Sequence, residues 1–104
     1  MIQLFLDMRI IAKKALVEFY TIHADSKNQL EAWYYEVRQE KWHDFSSIKE
    51  KYGSASLIAD NRVVFNICGN KYRLIVKIHY KAEIVFVRFV GTHKEYDKIN
   101  AAEV

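Results

Sequence analysis

The sequence predicts an α+β domain in which amino-terminal helices pack on one face of an antiparallel β-meander. Three observations point there. Apolar residues of the first half recur at helical spacing, those of the second half fall in β-branched and aromatic runs, and short turn-forming pairs divide those runs. The chain has 104 residues, three glycines and no proline, which leaves little room for linkers. It reads as one domain over 1–104, long enough to bury a single core.

The first helix is expected in "IIAKKALVEFYTIH", where Ile11, Ala15, Phe19 and Ile22 form a stripe broadened by Leu16 and Val17. The second lies in "ADSKNQLEAWYYEVRQEKW". Ser26 with Gln29 three residues later suits a capping box, and Leu30, Trp33, Tyr34, Val37 and Trp42 supply an apolar face. A shorter third helix is signalled by Ser47-Ile48-Lys49-Glu50 and runs to Tyr52, with Gly53 as its stop.

The period then changes. "RVVFNIC", "YRLIVKIHY" and "EIVFVRFV" read as strands joined by "GN" and "KA", with Gly69 suited to a positive φ. If both loops have two residues, Ile67 opposes Tyr72, Phe65 opposes Leu74 and Val63 opposes Val76. Across the second hairpin Val76 opposes Val87, Leu74 opposes Phe89 and Ile78 opposes Val85. All these pairs share one face, as a core side should. The other face carries Asn66, Cys68, Lys71, Arg73, Lys77, His79 and Arg88 among Ile75, Ile84 and Phe86. In this register Arg73 opposes Val90 and Lys71 opposes Thr92, so the start of "THKEYD" gathers beside both cations. Parity sends His93 to the opposite face unless the chain bends after Gly91.

Several function classes find no support. There is no phosphate-binding glycine loop, no cysteine–histidine set at zinc spacing and no Ser-His-Asp arrangement, so neither metal nor cofactor is expected. No stretch approaches the roughly 20 apolar residues that span a bilayer, and "MIQLFLDM" lacks the features of a signal peptide. Met8 offers an internal start, which would make 1–7 an upstream extension. The lone Cys68 is expected to be a small buried strand residue, and it fits a reducing, cytoplasmic setting. A net charge of +3 leans mildly toward polyanionic partners.

The richest constellation is Arg73 and Lys71 beside His93 and Tyr96. A guanidinium grips phosphate bidentately and a lysine adds a point charge. A histidine or tyrosine beside them can move protons on the attacking or leaving oxygen. RNA supplies its own nucleophile in the 2′-OH. From these residues alone, a metal-free ribonuclease and a non-catalytic RNA- or ribosome-binding module that blocks translation by occupancy are equally supported. A protein-interaction domain would account for the aromatics of "AWYYEV", although their helical spacing argues for burial.

"RVVFNICGNKYRLIVKIHY" and "IVFVRFVGTHKEYDKI" closely resemble the HigB-type toxins of bacterial type II toxin–antitoxin systems, in the RelE-like superfamily of mRNA interferases. "RIIAKKALVEFY", "WYYEV" and "WHDFSSIKEKYGSA" extend the resemblance over roughly residues 8–100. It implies a RelE-like fold and a metal-independent endoribonuclease that cleaves mRNA on translating ribosomes, silenced by a HigA-like helix-turn-helix antitoxin. Carried over by position, it implies that Arg73 grips phosphate and His93 is catalytic, with Tyr96 and Lys71 as the next catalytic candidates. Lys49 and Lys51 would extend a basic surface toward ribosomal RNA, joined by Asn66, Lys77, Arg88 and Lys94 as RNA contacts. The sequence departs from the family in "ICGN", where a glycine-richer turn is expected, and in the residues before Met8.

Overall fold

A computed structural model describes residues 8–104. Along the chain run β1 (Arg9–Ile11), α1 (Lys13–Ile22), a 3-10 turn (Ala24–Ser26), α2 (Lys27–Arg38) and α3 (Phe45–Lys51). There follow β2 (Ser56–Ile58), β3 (Arg62–Ile67), β4 (Tyr72–His79), β5 (Ile84–Thr92) and α4 (His93–Tyr96). The sheet order is β1-β5-β4-β3-β2, and every neighbour pair is antiparallel except β1 with β5.

The amino-terminal half differs from expectation in phase. Ile10 and Ile11 leave the first helix and pair in parallel with Val85 and Phe86, as their β-branched side chains favour. The helix therefore starts at Lys13, and its buried positions are Leu16 and Phe19, while Ile22 is 79% exposed. The extension over 1–7 lies outside the described residues, but Met8 is buried in the core. Ser26 and Gln29 form no capping box. Ser26 Oγ donates to His23 O at 2.7 Å, and Gln29 Oε1 reaches across to accept from Cys68 N at 2.7 Å. The third helix begins at Phe45, earlier than expected, because Asp44 caps it: Asp44 Oδ1 accepts from Ser47 N at 3.0 Å. Strand β2, unforeseen, joins β3 through Asp60 and Asn61, both at positive φ.

One face of the sheet meets α1, α2 and α3. Leu30, Trp33, Val37, Trp42 and Ile48 close over Phe65, Leu74, Val76 and Ile78, all buried. Phe65 is the hub: its ring lies 5.5 Å from Trp33, 6.2 Å from Trp42 and 5.2 Å from Tyr52. The β3–β4 register is the expected one, with Ile67 opposite Tyr72 and Val63 opposite Val76.

The β4–β5 register holds only halfway. Ile78 opposes Val85 and Val76 opposes Val87, but the next pair is Ile75 with Phe89. Arg88 is an extra residue, a β-bulge that inverts the facing of everything after it. Leu74 therefore opposes Val90 rather than Phe89, and Arg73 opposes Gly91 rather than Val90. Tyr72, not Lys71, opposes Thr92.

The helices lie on one face, as expected, and the second face is covered as well. Val64 and Ile75 point away from the helices yet are 4% and 0% exposed. The segment after α4 returns across this face, where Arg62 Nε donates to Val104 O at 2.8 Å. Asp60 closes the same end by pairing with both Arg62 and Lys77.

Truncating Phe65→Ala removes the ring on which three aromatics rest. A loss of about 3–5 kcal/mol is expected, read as a lower urea midpoint at unchanged slope.

Candidate active site

Arg73, Lys71, His93 and Tyr96 converge at one end of the sheet, and the bulge explains how. With facing inverted beyond Arg88, Gly91 lies opposite Arg73, and His93 N donates to Lys71 O at 3.0 Å. His93 thus follows the side of Lys71 and Arg73 without a left-handed bend at Gly91, whose φ is not positive. Gly91 serves space instead: a Cβ there would stand 2.5 Å from Phe89 Cζ, whose ring lies over the glycine.

The strand then turns into α4 through a reciprocal cap. Thr92 Oγ1 accepts from Glu95 N at 3.1 Å, and Glu95 Oε1 accepts from Thr92 N at 2.8 Å. The Thr92 amide holds the Glu95 carboxyl below the usual carboxylate range. Thr92-His93-Lys94-Glu95 carries the T-x-x-E signature of a helix start, so the helix that follows β5, absent from the expected elements, has a signal in the sequence.

Arg73 is positioned by backbone. Its Nη1 donates to Asn70 O at 3.0 Å and Tyr72 O at 3.2 Å, and its guanidinium sits 5.7 Å from the Tyr96 ring centroid. Among the described residues it forms no ion pair with a carboxylate. Against those residues its charge is uncompensated, and its Nε and Nη2 groups meet no acceptor among them, which suits an anion. On α4, His93 Nδ1 lies 3.2 Å from Asp97 Oδ2, one helical turn on. A carboxylate at Nδ1 leaves Nε2 to act outward. Asn66 is the cross-strand partner of Arg73, and Lys94 is exposed on α4.

Lys71 is different in kind. Its Nζ is paired with Asp25 in the 3-10 turn, and Tyr72 OH donates to the other oxygen of Asp25 at 2.6 Å. The Lys71 ammonium, followed by the Tyr72 hydroxyl, holds the Asp25 carboxyl below its usual range. Tyr72 also packs against Phe19 and His23, with ring centroids 5.1 and 5.3 Å away. Asp25 and Tyr72, which the sequence did not single out, thus clamp the helical half to the site. Only the fold brings Asp25 next to Lys71.

Other expected RNA contacts are engaged elsewhere. Lys49 Nζ donates to Ala55 O at 2.8 Å and Lys51 pairs with Glu40 at 3.0 Å, both on α3. Lys77 is tied to Asp60 at 2.9 Å, and Arg88 lines the groove beside Ala15, Phe19 and Ile22 of α1. Cys68 is not a buried strand residue: it occupies the β3–β4 turn at φ 54° with its Sγ 3.5 Å from Asp25 O. His79 caps a turn by accepting from Ala82 N. Among the described residues no three His, Cys, Asp or Glu side chains cluster as a metal site, and no helix is long and apolar enough to cross a membrane.

Residues 26–99 match the profile of the HigB_toxin family, described as the RelE-like toxic component of a toxin–antitoxin system. The mRNA interferase toxin HigB of Escherichia coli K12 is 28% identical over 96 residues, covering 90% of this chain and 92% of that protein. The mRNA interferases HigB of Escherichia coli O157:H7 and Shigella flexneri are similar to the same extent.

Two outcomes test this geometry. Gly91→Ala should lower stability by about 1–3 kcal/mol by driving a methyl into the Phe89 ring, and adding Phe89→Ala should make the combined loss less than additive in a denaturation cycle. A depressed folded pKa means that Asp25 stabilises above its unfolded value near pH ~3.9 and stops doing so as pH falls through the folded value. The melting-temperature advantage of the native protein over Asp25→Asn should therefore be full at pH 7 and vanish in acid.

Proposed function

The chain belongs to the HigB family of RelE-like toxic components of toxin–antitoxin systems, and on that premise we propose that it is an mRNA interferase, an endoribonuclease that stops translation. The observation that carries this reading is Arg73: an arginine without a carboxylate partner among the described residues, held by two carbonyls, beside His93 of α4 and the Asp97 that caps that helix. A phosphate-binding cation next to a proton-transfer group is what cleavage of RNA by its own 2′-OH requires.

In the proposed reaction the 2′-oxygen attacks phosphorus and gives up its proton, while the phosphorus–5′-oxygen bond breaks and that oxygen takes a proton. The products are a 2′,3′-cyclic phosphate and a 5′-hydroxyl. Arg73 binds the non-bridging oxygens and stabilises the charge of the pentavalent transition state. His93, oriented at Nδ1 by Asp97, transfers a proton through Nε2. Tyr96 backs the guanidinium and offers a face on which a base can stack. Lys71, neutralised by Asp25, is assigned a lesser role in phosphate contact. Asn66 and Lys94 flank the substrate. The finer assignments are action on translating ribosomes, in the cytoplasm, and neutralisation by a HigA-like helix-turn-helix antitoxin. The family's description as the toxic component of a toxin–antitoxin system supports an antitoxin partner, and the relatives' name of mRNA interferase supports mRNA as the substrate. Ribosome, compartment and antitoxin type are carried by the family resemblance alone.

Arg73→Ala and His93→Ala should each lower mRNA cleavage by about 10²–10⁴-fold while remaining folded. Asp97→Asn and Lys71→Ala should each cost less. Mapping of mRNA 5′ ends after induction reads this out. Full toxicity of both alanine variants would overturn the site, whereas intact mRNA under growth arrest would favour a translation blocker acting by occupancy.

A further inference from the structure

The aromatics of "AWYYEV" divide between core and surface. Trp33 is 2% exposed, Tyr34 is half-buried and Tyr35 is 48% exposed. The rings of Tyr34 and Tyr35 meet edge to face at 5.3 Å. Two cations from different elements share them. Lys13 Nζ lies 4.9 Å from the Tyr34 centroid and 5.3 Å from that of Tyr35, and it donates to Tyr35 OH at 3.4 Å. The Arg38 guanidinium lies 5.2 and 5.9 Å from the same two rings. Farther along α2, Lys27 Nζ stands 5.8 Å from the Tyr20 ring.

The charges on this face are not balanced. None of Lys13, Lys27 and Arg38 forms an ion pair among the described residues. Glu31 accepts from the Tyr20 hydroxyl and Glu36 from Tyr52 OH. Neither bond removes the carboxylate's charge, so three cations against two carboxylates leave the face positive by one. Cations that track phosphates, interleaved with rings that offer stacking faces, are the combination that grips single-stranded nucleic acid. A clip between two helices would need the rings but gains nothing from unpaired positive charge. The face also has a direction: Lys27 follows Asp25 by two residues, so its cations lead from the Lys71–Arg73 end along α2 to Arg38.

We infer that Lys13, Tyr34, Tyr35 and Arg38, continued by Lys27 and Tyr20, form a second RNA-binding face that holds phosphate backbone and stacks exposed bases outside the cleavage site. This rests on the reading that the protein acts on RNA. The backbone is that of the mRNA itself, because the face leads away from the Lys71–Arg73 end where that strand is cut; ribosomal RNA is the other source the test distinguishes.

Two probes separate these sources: a non-cleavable 2′-O-methyl oligonucleotide of ~12 nucleotides, followed by anisotropy, and purified ribosomes, followed by co-sedimentation. The full chain is used throughout. Lys13→Gln with Arg38→Gln should weaken binding by about tenfold and reduce the salt slope by roughly 1–1.5. Tyr35→Leu should weaken binding with the slope unchanged. Loss on the oligonucleotide supports the inference, whereas loss on ribosomes alone gives the face to ribosomal RNA and overturns it for mRNA. Lys27→Gln, which gives up only the cation–ring contact with Tyr20, should weaken binding and keeps the test decisive if the double variant melts early. Unchanged affinity and salt slope with both probes would overturn the inference. So would retained RNA binding with loss of antitoxin capture, which would give the face to a protein. Failure of the cleavage reading is separate: it shows as Arg73→Ala retaining toxicity, whatever the oligonucleotide affinities.

Discussion

A single unpaired residue governs how this molecule presents its chemistry. Arg88 interrupts the β4–β5 ladder, and every side chain beyond it changes face. The inversion turns Val90 inward opposite Leu74, turns Phe89 outward opposite Ile75, and sets Gly91 against Arg73. Without the bulge, the apolar alternation would continue smoothly and His93 would emerge among the helices. The ladder loses some regularity at that point, and the sheet gains a functional edge. Bulges next to working sites commonly re-aim a side chain in this way. Here the re-aimed unit is the whole of α4.

Each flank of that edge is fixed by a different kind of bond. Arg73 is held by two main-chain carbonyls, which orient a guanidinium without neutralising it. Lys71, two residues away, faces a carboxylate and is neutralised. The Asp25 clamp therefore separates the two cations by task, so that one ties the helices to the sheet and the other keeps an open charge. The β3–β4 turn leads into both cations, with Gly69 at φ 66° and Gln29 satisfying the Cys68 amide. The charged end is thus braced from α2 as well as from the strands.

The strands were readable because their alternation and turn residues agree: the β3–β4 pairing follows from "GN" alone. The bulge was not readable, since Val87, Phe89 and Val90 are all apolar and either phase buries a hydrophobe. Ile10 and Ile11 fit a helix stripe as well as a strand, and only the exposed edge of β5 decides between them. Arg73, His93 and Tyr96 stood out because polar groups bunch where a β-run stops. Asp97 and α4 were within reach through the T-x-x-E cap and the i, i+4 spacing. Asp25 was not, because its partners lie 46 and 47 residues on. Lys49, Lys51 and Lys77 show the converse: a basic residue in sequence says nothing of the carbonyl or carboxylate already waiting for it.

The parallel pairing of β1 with β5 has a kinetic meaning. Arg9 must find Ile84, so docking of the outer strand closes a long loop, at a larger entropic cost than the short hairpins meet. Contacts at such separation slow folding, because the entropy of closure is lost before the pairing is gained. The local hairpins β2–β3 and β3–β4 are placed to form early, with β1 arriving last. A nascent molecule would therefore spend its unfinished interval with the outer edge of β5 open, a template for any strand able to pair with it before its own does.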